Sequence, residues 1–324
     1  MKSNLIIGAG QLGSRHLQGL LRLELAQKIY VLDPSTDSLK ISEERAKEIT
    51  HNHKIIFTTS WNDVPKELDF VVVATGANVR SKVVQQLLEN HKVIQLVLEK
   101  ILFQDLVSYE TIGALLAKTQ TTTWVNHPRR MVEHYQEIRN SILASKESAV
   151  FQVVGSNWGL ACSALHFIDL CAFLTNSKVK TNNMDLIDPI VHESKRDKCI
   201  EFTGTISGTM ENGSNFIISS IDGEIGDITI TVSTNSDRWI IQEGKAQKII
   251  RMSKNNGFNP EIFSYVTEFQ SFLTTRIAKD IFEIGKCNLP SYKEASESHI
   301  PFIEVALKKY TELSGISTKT CPIT

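Results

Sequence analysis

A glycine-rich loop near the start of the chain has the spacing of a phosphate-binding turn. Residues 8–13 are Gly-Ala-Gly-Gln-Leu-Gly, and they follow an apolar run and open a helical pattern. Gly8 permits a tight turn, Gly10 lets the backbone approach a pyrophosphate, and Gly13 lets helix and strand pack closely. The free N–H groups and the dipole at the helix N-terminus favour a bound phosphate. The loop therefore predicts a dinucleotide site, with a purely structural glycine turn as the alternative.

A carboxylate downstream of this loop predicts which dinucleotide binds. Asp33 ends the second apolar run, where its oxygens can accept hydrogen bonds from an adenine ribose. Pro34, Ser35 and Thr36 follow, and no Lys or Arg occurs before Lys40. Because a carboxylate repels a 2′-phosphate and no nearby guanidinium compensates, the sequence favours NAD over NADP.

Polar residues also follow the fourth and fifth apolar runs. Residues 75–78 are Thr-Gly-Ala-Asn, and Glu99-Lys100 comes after the next run. The carboxyl ends of parallel strands form the edge where ligands bind in open α/β sheets. Asn78 is equally suited to be the N-cap of the following helix. The predicted cofactor-binding residues are Gly8, Gly10, Gln11, Leu12, Gly13, Asp33, Thr75, Gly76, Asn78, Glu99 and Lys100.

A histidine in the second half of the chain is the candidate for proton transfer. Oxidation of a carbinol needs a group that takes the hydroxyl proton, and His166 has a suitable ordinary pKa. Lys100 can polarise the reacting oxygen or share the proton relay. From the residues alone, a satisfied core histidine on an amphipathic helix is the favoured explanation of His166. Asp169 shares its helix face and either orients the imidazole or makes unrelated hydrogen bonds.

Three further groups of polar side chains are candidate ligand sites. Arg129-Arg130 can hold a carboxylate or phosphate through a bidentate contact, and a solvated first helical turn is the alternative. His127 and His134 are expected on one helix face two turns apart, too distant to share one ion. His51 and His53 lie in a polar stretch and are expected to be solvated. We therefore expect no metal.

Composition excludes several classes of function. The chain has 324 residues, with 35 Lys+Arg against 36 Asp+Glu, which leaves no basic excess for nucleic acid or an anionic membrane. The 5 cysteines include no CxxC pair, so we expect neither a disulfide framework nor a zinc knuckle, and a reducing cytoplasm fits best. An apolar strand begins within three residues of Met1, so no signal peptide is expected. No apolar stretch approaches the ~20 residues that span a bilayer.

The first 126 residues alternate apolar runs with helical patterns. The runs are rich in Val, Ile and Leu and mostly lack period-two alternation, as in strands covered on both faces. This order predicts an α/β domain over residues 1–126 with a doubly wound parallel sheet, a Rossmann domain. The predicted strands are Asn4–Ile7, Ile29–Leu32, Ile55–Phe57, Phe70–Ala74, Val93–Leu98 and Thr122–Val125, and the predicted helices are Leu12–Leu25, Glu43–Ile49, Val79–Asn90 and Asp105–Lys118.

Residues 127–324 predict a second α/β domain with a large open, mostly antiparallel sheet. Strands are expected to follow one another between Asp185 and Met252, and the tail Ser314–Thr324 is expected to fray. A hydroxyl-rich sheet face with no helix left to cover it predicts a homodimer or homotetramer. That face carries Thr203, Thr205, Thr229 and Thr231.

A further strand of this domain is predicted at Ala149–Gly155. Helices are predicted at about Met131–Leu143, Cys162–Leu174, Pro260–Ile284 and Lys293–Leu313. The last of these helices is able to pack back on the first domain.

Together these motifs resemble the Gfo/Idh/MocA family, the glucose–fructose oxidoreductase and inositol dehydrogenase group. The anchors are the Gly8 loop, Asp33, Glu99-Lys100, Arg129-Arg130 and His166. The resemblance implies a Rossmann domain joined to a C-terminal α/β domain, and association through the open sheet. It also implies that Lys100 and His166 are catalytic. The expected partners are further copies of the chain and a small, sugar-like molecule, with neither nucleic acid nor membrane.

Three positions depart from the family pattern. Ile101 stands where the family has a proline after Glu-Lys, Cys162 where inositol-dehydrogenase-like members have Asp, and Ala164 where glycine is common. At its ordinary pKa, Cys162 cannot replace a carboxylate as a base partner, so the substrate contacts are expected to differ from those of polyol dehydrogenases. The predicted substrate-binding residues are Arg129, Arg130, Asn157, Trp158, Cys162, Ser163 and His166.

The sequence as a whole predicts an NAD-dependent oxidoreductase of carbohydrate metabolism. Its expected reaction is hydride transfer between nicotinamide and a carbinol or carbonyl of a sugar, a sugar derivative or a related hydroxy acid. One alternative is a redox-neutral enzyme with tightly bound NAD. Another is a noncatalytic NAD-binding sensor or scaffold protein.

Overall fold

A computed structural model of the chain describes residues 2–324. The chain forms two compact units. The first contains the residues up to Phe103 together with Val107–Met131 and Glu268–Ser296, and the second contains Gln104–Leu106, Val132–Thr267 and Glu297–Thr324. The predicted boundary at residue 126 assigns residues 268–296 to the second domain, whereas in the structure they belong to the first unit.

Six parallel strands form the sheet of the first unit. They are β1 (Ser3–Ile7), β2 (Lys28–Leu32), β3 (Lys54–Thr58), β4 (Glu67–Val73), β5 (Lys92–Glu99) and β6 (Thr122–Asn126). Their order is β3-β2-β1-β4-β5-β6. Successive strands are added on one side of β1 as far as β3 and on its other side from β4 onward, so the topological switch point lies between β1 and β4. Leu5, Val31 and Val72 are fully buried, as in strands covered on both faces. The predicted doubly wound parallel sheet is confirmed.

Four helices connect these strands: α1 (Gln11–Leu21), α2 (Thr36–Ala46), α3 (Ala77–Asn90) and α4 (Leu106–Thr119). Helix α2 begins seven residues before the predicted Glu43. The hydroxyl of Ser35 accepts a hydrogen bond from the Ser38 N–H at 3.2 Å, so the helix starts at a capping residue.

The second unit is built on an eight-stranded sheet with α5 (Glu133–Ser145) and α6 (Leu160–Thr175). The strand order is β16-β15-β14-β13-β7-β12-β11-β8, antiparallel except for the β7–β12 pair. This confirms the predicted open, mostly antiparallel sheet. The strands are β7 (Val150–Ser156), β8 (Val179–Ile187), β11 (Gly204–Met210), β12 (Asn215–Ile221), β13 (Gly226–Ser233), β14 (Asp237–Gln242), β15 (Lys248–Ser253) and β16 (Pro260–Ser264), and the short pair is β9 (His192–Glu193) with β10 (Ile200–Glu201).

One face of this sheet is buried and the other is open. Along β7, Phe151 and Val153 are buried, whereas Val150 and Val154 are 38% and 44% exposed. Thr203 does not belong to the open face, contrary to the prediction. The predicted strand breaks between β10 and β11, and the Thr203 hydroxyl is buried at 3.1 Å from the His192 Nε2.

The last two helices are α7 (Gln270–Ile284) and α8 (Tyr292–Ser314). The predicted helix at Pro260–Ile284 is wrong in its first part, because residues 260–264 pair with β15 and so satisfy their backbone groups in the sheet. Helix α7 packs on α1 at Gly19, where a Cβ would lie 2.5 Å from the Thr274 Cβ. No helix among residues 2–324 is long and apolar enough to cross a membrane.

The predicted fraying of residues 314–324 is wrong for the last four residues. Cys321 and Ile323 are completely buried, and Thr324 is 6% exposed. The Cys321 N–H donates to the Gln104 carbonyl at 2.8 Å, and the Gln104 side chain donates to the Ile323 carbonyl at 2.8 Å. These reciprocal bonds hold the segment against the body of the second unit.

Candidate active site

The glycine loop has the geometry expected of a diphosphate cradle. Gly8 has a φ of +95°, and a Cβ on Gly13 would stand 1.7 Å from the Gly8 carbonyl oxygen. A Cβ on Gly10 would meet nothing within 4 Å among the described residues, so there is open space in front of the loop. Gly10 is also the N-cap of α1 and supplies no side-chain acceptor to its first turn. These features fit a bound dinucleotide.

Asp33 lies directly beside this loop. Its Oδ2 accepts from the Ala9 N–H at 2.7 Å, and its Oδ1 accepts from the Ser35 N–H at 2.8 Å. Because an ionised carboxylate has about four acceptor sites, both oxygens can accept further bonds from ribose hydroxyls.

Arg45 also contacts the start of α1, a contact that the sequence did not predict. Its guanidinium donates to the Gln11 Oε1 at 2.5 Å and to the Ser14 hydroxyl at 2.6 Å. Arg45 thus couples α2 to the first turn of α1, and it fixes the side chain of one predicted cofactor residue, Gln11.

The loop after β4 contributes a hydroxyl that lacks a partner. Among residues 2–324, the buried Thr75 Oγ1 has no hydrogen-bond partner, as expected of a group kept for a ligand. Gly76 is the N-cap of α3, and Asn78 is an exposed residue in its first turn. The N-cap alternative for Asn78 is therefore wrong, and its cofactor role stays a prediction.

A closed ring of buried hydrogen bonds holds Glu99 at the end of β5. The Glu99 Oε1 lies 2.9 Å from the His16 Nε2 and 2.5 Å from the Asn126 Nδ2. Asn126 also donates to the Gln270 Oε1 at 3.1 Å, Gln270 donates to the Thr274 hydroxyl at 3.0 Å, and Thr274 lies 2.9 Å from the His16 Nδ1. The ring joins α1, β5, β6 and α7 around the residue that precedes Lys100.

The ring keeps Glu99 ionised. Burial alone raises the pKa of this carboxyl group, but the hydrogen bonds and charge of His16, the hydrogen bond from Asn126 and the charge of Arg80 outweigh it, so the pKa is lowered. Lys100 follows directly, is 9% exposed, and is joined to Ile101 by a cis peptide bond.

The region after β6 is more buried than the sequence suggested. A 3₁₀ turn covers Pro128–Met131, where Arg130 is 7% exposed and lies 3.8 Å from the Glu294 Oε1. A solvated helical turn is therefore the wrong description of Arg130. His127 precedes this turn and is 1% exposed; burial and the charges of Arg130 and Lys100 hold its pKa well below the ordinary value, so the imidazole is neutral.

The surroundings of His127, His134 and His53 differ from those that the sequence predicts. His127 lies before the 3₁₀ turn and His134 on α5, so they do not share one helix as predicted. His53 is 7% exposed rather than solvated, with its Nδ1 accepting from the Gln27 N–H at 2.9 Å. Within the described part of the chain, no three His, Cys, Asp or Glu side chains are grouped as a metal site.

In the second unit, the predicted residues before α6 stabilise the loop that contains them. The Asn157 amide donates to the Gly223 carbonyl, and the Trp158 indole N–H donates to the Ser219 carbonyl at 2.9 Å. The Trp158 ring also meets Phe167 edge to face, with centroids 5.2 Å apart. These contacts fix the entry to α6; a substrate role for the two side chains stays a prediction.

Backbone N–H groups at the N-terminus of α6 are already hydrogen-bonded to another side chain of the protein. The Glu201 Oε2 accepts from the Ala161 N–H at 2.8 Å and from the Cys162 N–H at 3.3 Å. The Cys162 sulfur accepts from the Thr324 N–H at 3.5 Å, and the Pro322 carbonyl accepts from the Ile200 N–H at 2.8 Å. Glu201 and the C-terminal segment were missed because only tertiary folding brings them to this helix.

His166 lies on the partly exposed stripe of α6. Ser163 and His166 are half-buried, whereas Leu165, Phe167 and Asp169 are buried. His166 is therefore less buried than a core histidine is expected to be. Lys100 belongs to the first unit and His166 to the second.

A Rossmann domain with an open glycine cradle, an adjacent carboxylate and a lysine at the end of β5 defines a nucleotide-dependent protein of the oxidoreductase class. A family model described as "Oxidoreductase family, NAD-binding Rossmann fold" matches residues 2–127. Residues 2–127 therefore resemble the NAD-binding domain of the Gfo/Idh/MocA family, and the cofactor is NAD. No curated protein sequence matches the chain.

Solved structures share the fold over both units. UDP-N-acetylglucosamine 3-dehydrogenase from Acidithiobacillus ferrooxidans matches with a TM-score of 0.68 at 13% identity, covering 95% of this chain and 96% of that one. An Agrobacterium radiobacter oxidoreductase in complex with NAD+, L-tartaric acid and magnesium has the same four values, 0.68, 13%, 95% and 96%. The transcriptional regulator Gal80p from Kluyveromyces lactis matches with a TM-score of 0.70 at 15% identity, covering 96% of this chain and 89% of that one.

Proposed function

We propose that this protein is an NAD-dependent oxidoreductase that acts on a CH–OH group of an uncharged sugar or sugar derivative. The observation that carries the proposal is the placement of Lys100 directly after Glu99, whose buried carboxylate is held by His16 and Asn126 at a strand end of the NAD-binding domain. Lys100 is buried, with 9% of its surface exposed. A protein that only binds a nucleotide does not need a buried lysine at this strand end.

The proposed chemistry assigns one role to each polar group. Bound NAD supplies the hydride acceptor. Lys100 polarises the substrate oxygen through its ammonium group, and His166 takes the hydroxyl proton at an imidazole nitrogen, directly or through water. Asp169, one turn from His166 on the same helix, is assigned the role of orienting the imidazole.

The choice of an uncharged substrate rests on two observations. The first turn of α6 is already occupied by the Glu201 carboxylate, which repels a second anion there. Arg130 is buried next to Glu294, which partly neutralises its charge. Both observations favour a neutral polyol ring over a hydroxy acid as the substrate.

A second candidate function is an NAD-sensing regulator. It is favoured by the likeness to Gal80p, a transcriptional regulator, and by Cys162, which supplies no carboxylate partner for His166. A redox-neutral enzyme that keeps its NAD is a third possibility. Release of NADH when substrate is added distinguishes a dehydrogenase from both.

We also propose that the chain assembles through the open face of its second sheet. Neighbouring strands place Val154 and Ile217 there, 44% and 38% exposed, together with Thr205, Thr229 and Thr231. An exposed sheet face that carries apolar side chains among hydroxyl groups is commonly covered by a second copy. The five cysteines are free thiols, which supports a reducing compartment such as the cytoplasm.

The proposed activity is tested with NAD and a panel of sugars and polyols, each neutral compound paired with its own uronic or aldonic acid. NADH formation is followed by absorbance. The proposal requires turnover of at least one neutral compound and slower turnover of its acid. Binding of NAD without turnover of any panel member, together with sugar-dependent changes in NAD affinity, would instead support the regulator.

A further inference from the structure

A buried arginine joins the two strand-end loops of the second half of the nucleotide fold. Arg80 lies in the first turn of α3 and is 2% exposed. Its guanidinium donates to the carbonyl oxygens of Thr75, Ile101 and Leu102, the last at 3.2 Å. Thr75 belongs to the loop after β4, and the other two carbonyls follow Lys100 in the loop after β5.

Packing alone does not account for a guanidinium at this depth. Burial of an ionised group is strongly unfavourable unless the charge is neutralised and its donors are hydrogen-bonded. Two observations offset this cost: the Nη1 and Nη2 groups of Arg80 donate to backbone carbonyls, and its charge acts on the ionised Glu99. Such a group fixes the spacing of the loops that it joins.

The loops in question define one half of the cofactor site. A Rossmann sheet is built from two mononucleotide-binding halves, and here the first half carries the Gly8–Gly13 cradle and Asp33. The second half, β4 to β6, carries the unpartnered Thr75 hydroxyl and Lys100. The nicotinamide mononucleotide is therefore expected over the loops that Arg80 connects.

We propose that Arg80 is a positioning residue for the nicotinamide half of the site, holding the Lys100 loop against the Thr75 loop. The inference rests on the proposed function, since it presumes that NAD binds with nicotinamide near Lys100. Arginine suits this task because its planar group has five donors in a fixed fork, whereas lysine has one compact ammonium. A lysine at this position cannot reach both loops in the same way.

The test compares two probes that share the adenosine diphosphate moiety, NADH and ADP-ribose, the second of which lacks nicotinamide. For Arg80→Lys we expect NADH affinity to fall about tenfold or more, the scale of a lost charged hydrogen bond. ADP-ribose affinity should change by no more than about twofold, because its contacts lie on the other half. The emission of bound NADH should also shift toward that of free NADH.

Arg139→Lys is the matched control. Arg139 donates to the Phe173 carbonyl and to the Asn176 Oδ1 at 2.9 Å, so it too binds backbone, but in the second unit. This variant should leave both affinities unchanged. If Arg80→Lys does not fold by circular dichroism, Arg80→Gln, which keeps a planar amide donor, is measured in the same way.

Three results would overturn the inference. Equal losses of NADH and ADP-ribose affinity would show a general structural role, and unchanged NADH affinity would show no role. If the wild-type protein binds ADP-ribose but gains nothing from the nicotinamide of NADH, Arg80 has no nicotinamide to position. Only wild-type protein that binds neither probe would also contradict the proposed function itself.

Discussion

The Asp33 carboxylate accepts a hydrogen bond from the Ala9 N–H at 2.7 Å, so the residue expected to select the cofactor also supports the glycine loop. A cofactor-selecting role for Asp33 would therefore couple selection to the geometry of the loop. A substitution at Asp33 affects both, and a test of selectivity has to separate them.

Replacing Asp33 by Ser together with Ser35→Arg should shift preference toward NADP. The change removes the charge that repels a 2′-phosphate and adds a guanidinium that attracts it. Loss of the bond to Ala9 should weaken both dinucleotides, so the ratio of the two dissociation constants by calorimetry is the measurement. Ser35→Arg alone keeps Asp33 and serves as control. Tighter binding of NADP than of NAD by the wild-type protein would refute the assignment.

Glu201→Gln should make the α6 site more tolerant of acids. The amide can still accept from the Ala161 N–H, but it no longer repels an anion near Cys162. We expect the ratio of kcat/KM for a uronic acid to that for its neutral sugar to rise about tenfold, as expected for removal of one nearby like charge. Glu193→Gln, at an exposed position of β9, is the control. An unchanged ratio would remove Glu201 from the account of specificity.

Acid should destabilise the fold through buried neutral histidines. Burial lowers the pKa of His53 below that of the unfolded chain, so its stabilising contribution is complete above the unfolded pKa and is lost as pH falls toward the folded pKa. The free energy of unfolding in urea should therefore decrease from about pH 7.5 to about pH 5.5. His53→Gln should reduce this slope, whereas His51→Gln, at an exposed position, should keep it. Equal slopes in all three proteins would contradict the assignment.

Ile217→Lys should dissociate an assembly that uses the open sheet face. The charge would be desolvated against the second copy, at a cost that a weakly paired interface does not recover. Light scattering should then give the monomer mass, 36.3 kDa, while the wild-type protein gives a multiple of it. Leu25→Lys, an exposed apolar position of the first unit, is the control. A monomeric wild-type protein at micromolar concentration would exclude this interface.

The first sheet was predictable because its signals are local. Apolar runs without alternation mark buried parallel strands, and the Gly8 loop marks the turn into α1. Helix α2 was placed too late because its residues are largely polar, and its real start depends on the Ser35 cap. The strand at Pro260–Ser264 was assigned to a helix because only pairing with β15 selects its extended form.

The candidate site was predictable only where chemistry lies within a motif. Asp33, Glu99 and Lys100 follow strands and could be found from spacing. Arg80 and Glu201 could not, because neither lies within a recognisable motif, and their roles depend on backbone groups that folding brings to them. The C-terminal contact with Cys162 is likewise a long-range product of the fold.

The central claim is that Lys100 and His166 perform chemistry on a substrate of the NAD-binding domain. Lys100→Ala should lower kcat by roughly 10²-fold or more, the scale of a positioned acid–base or electrostatic group. His166→Ala should do likewise and flatten the acidic limb of the pH profile, because protonated imidazole cannot accept a proton. Cys162→Ser should be mild, since the thiol moves no proton.

The most direct test is the rate of NADH formation by wild type, Lys100→Ala and His166→Ala with the neutral compound that the panel identifies. NAD affinity is measured on the same samples by calorimetry. The account predicts a large loss of kcat in both variants, with NAD affinity within a few fold of wild type because the Gly8–Gly13 loop and Asp33 are intact. Near-normal turnover in both variants would contradict the mechanism and leave only the cofactor site.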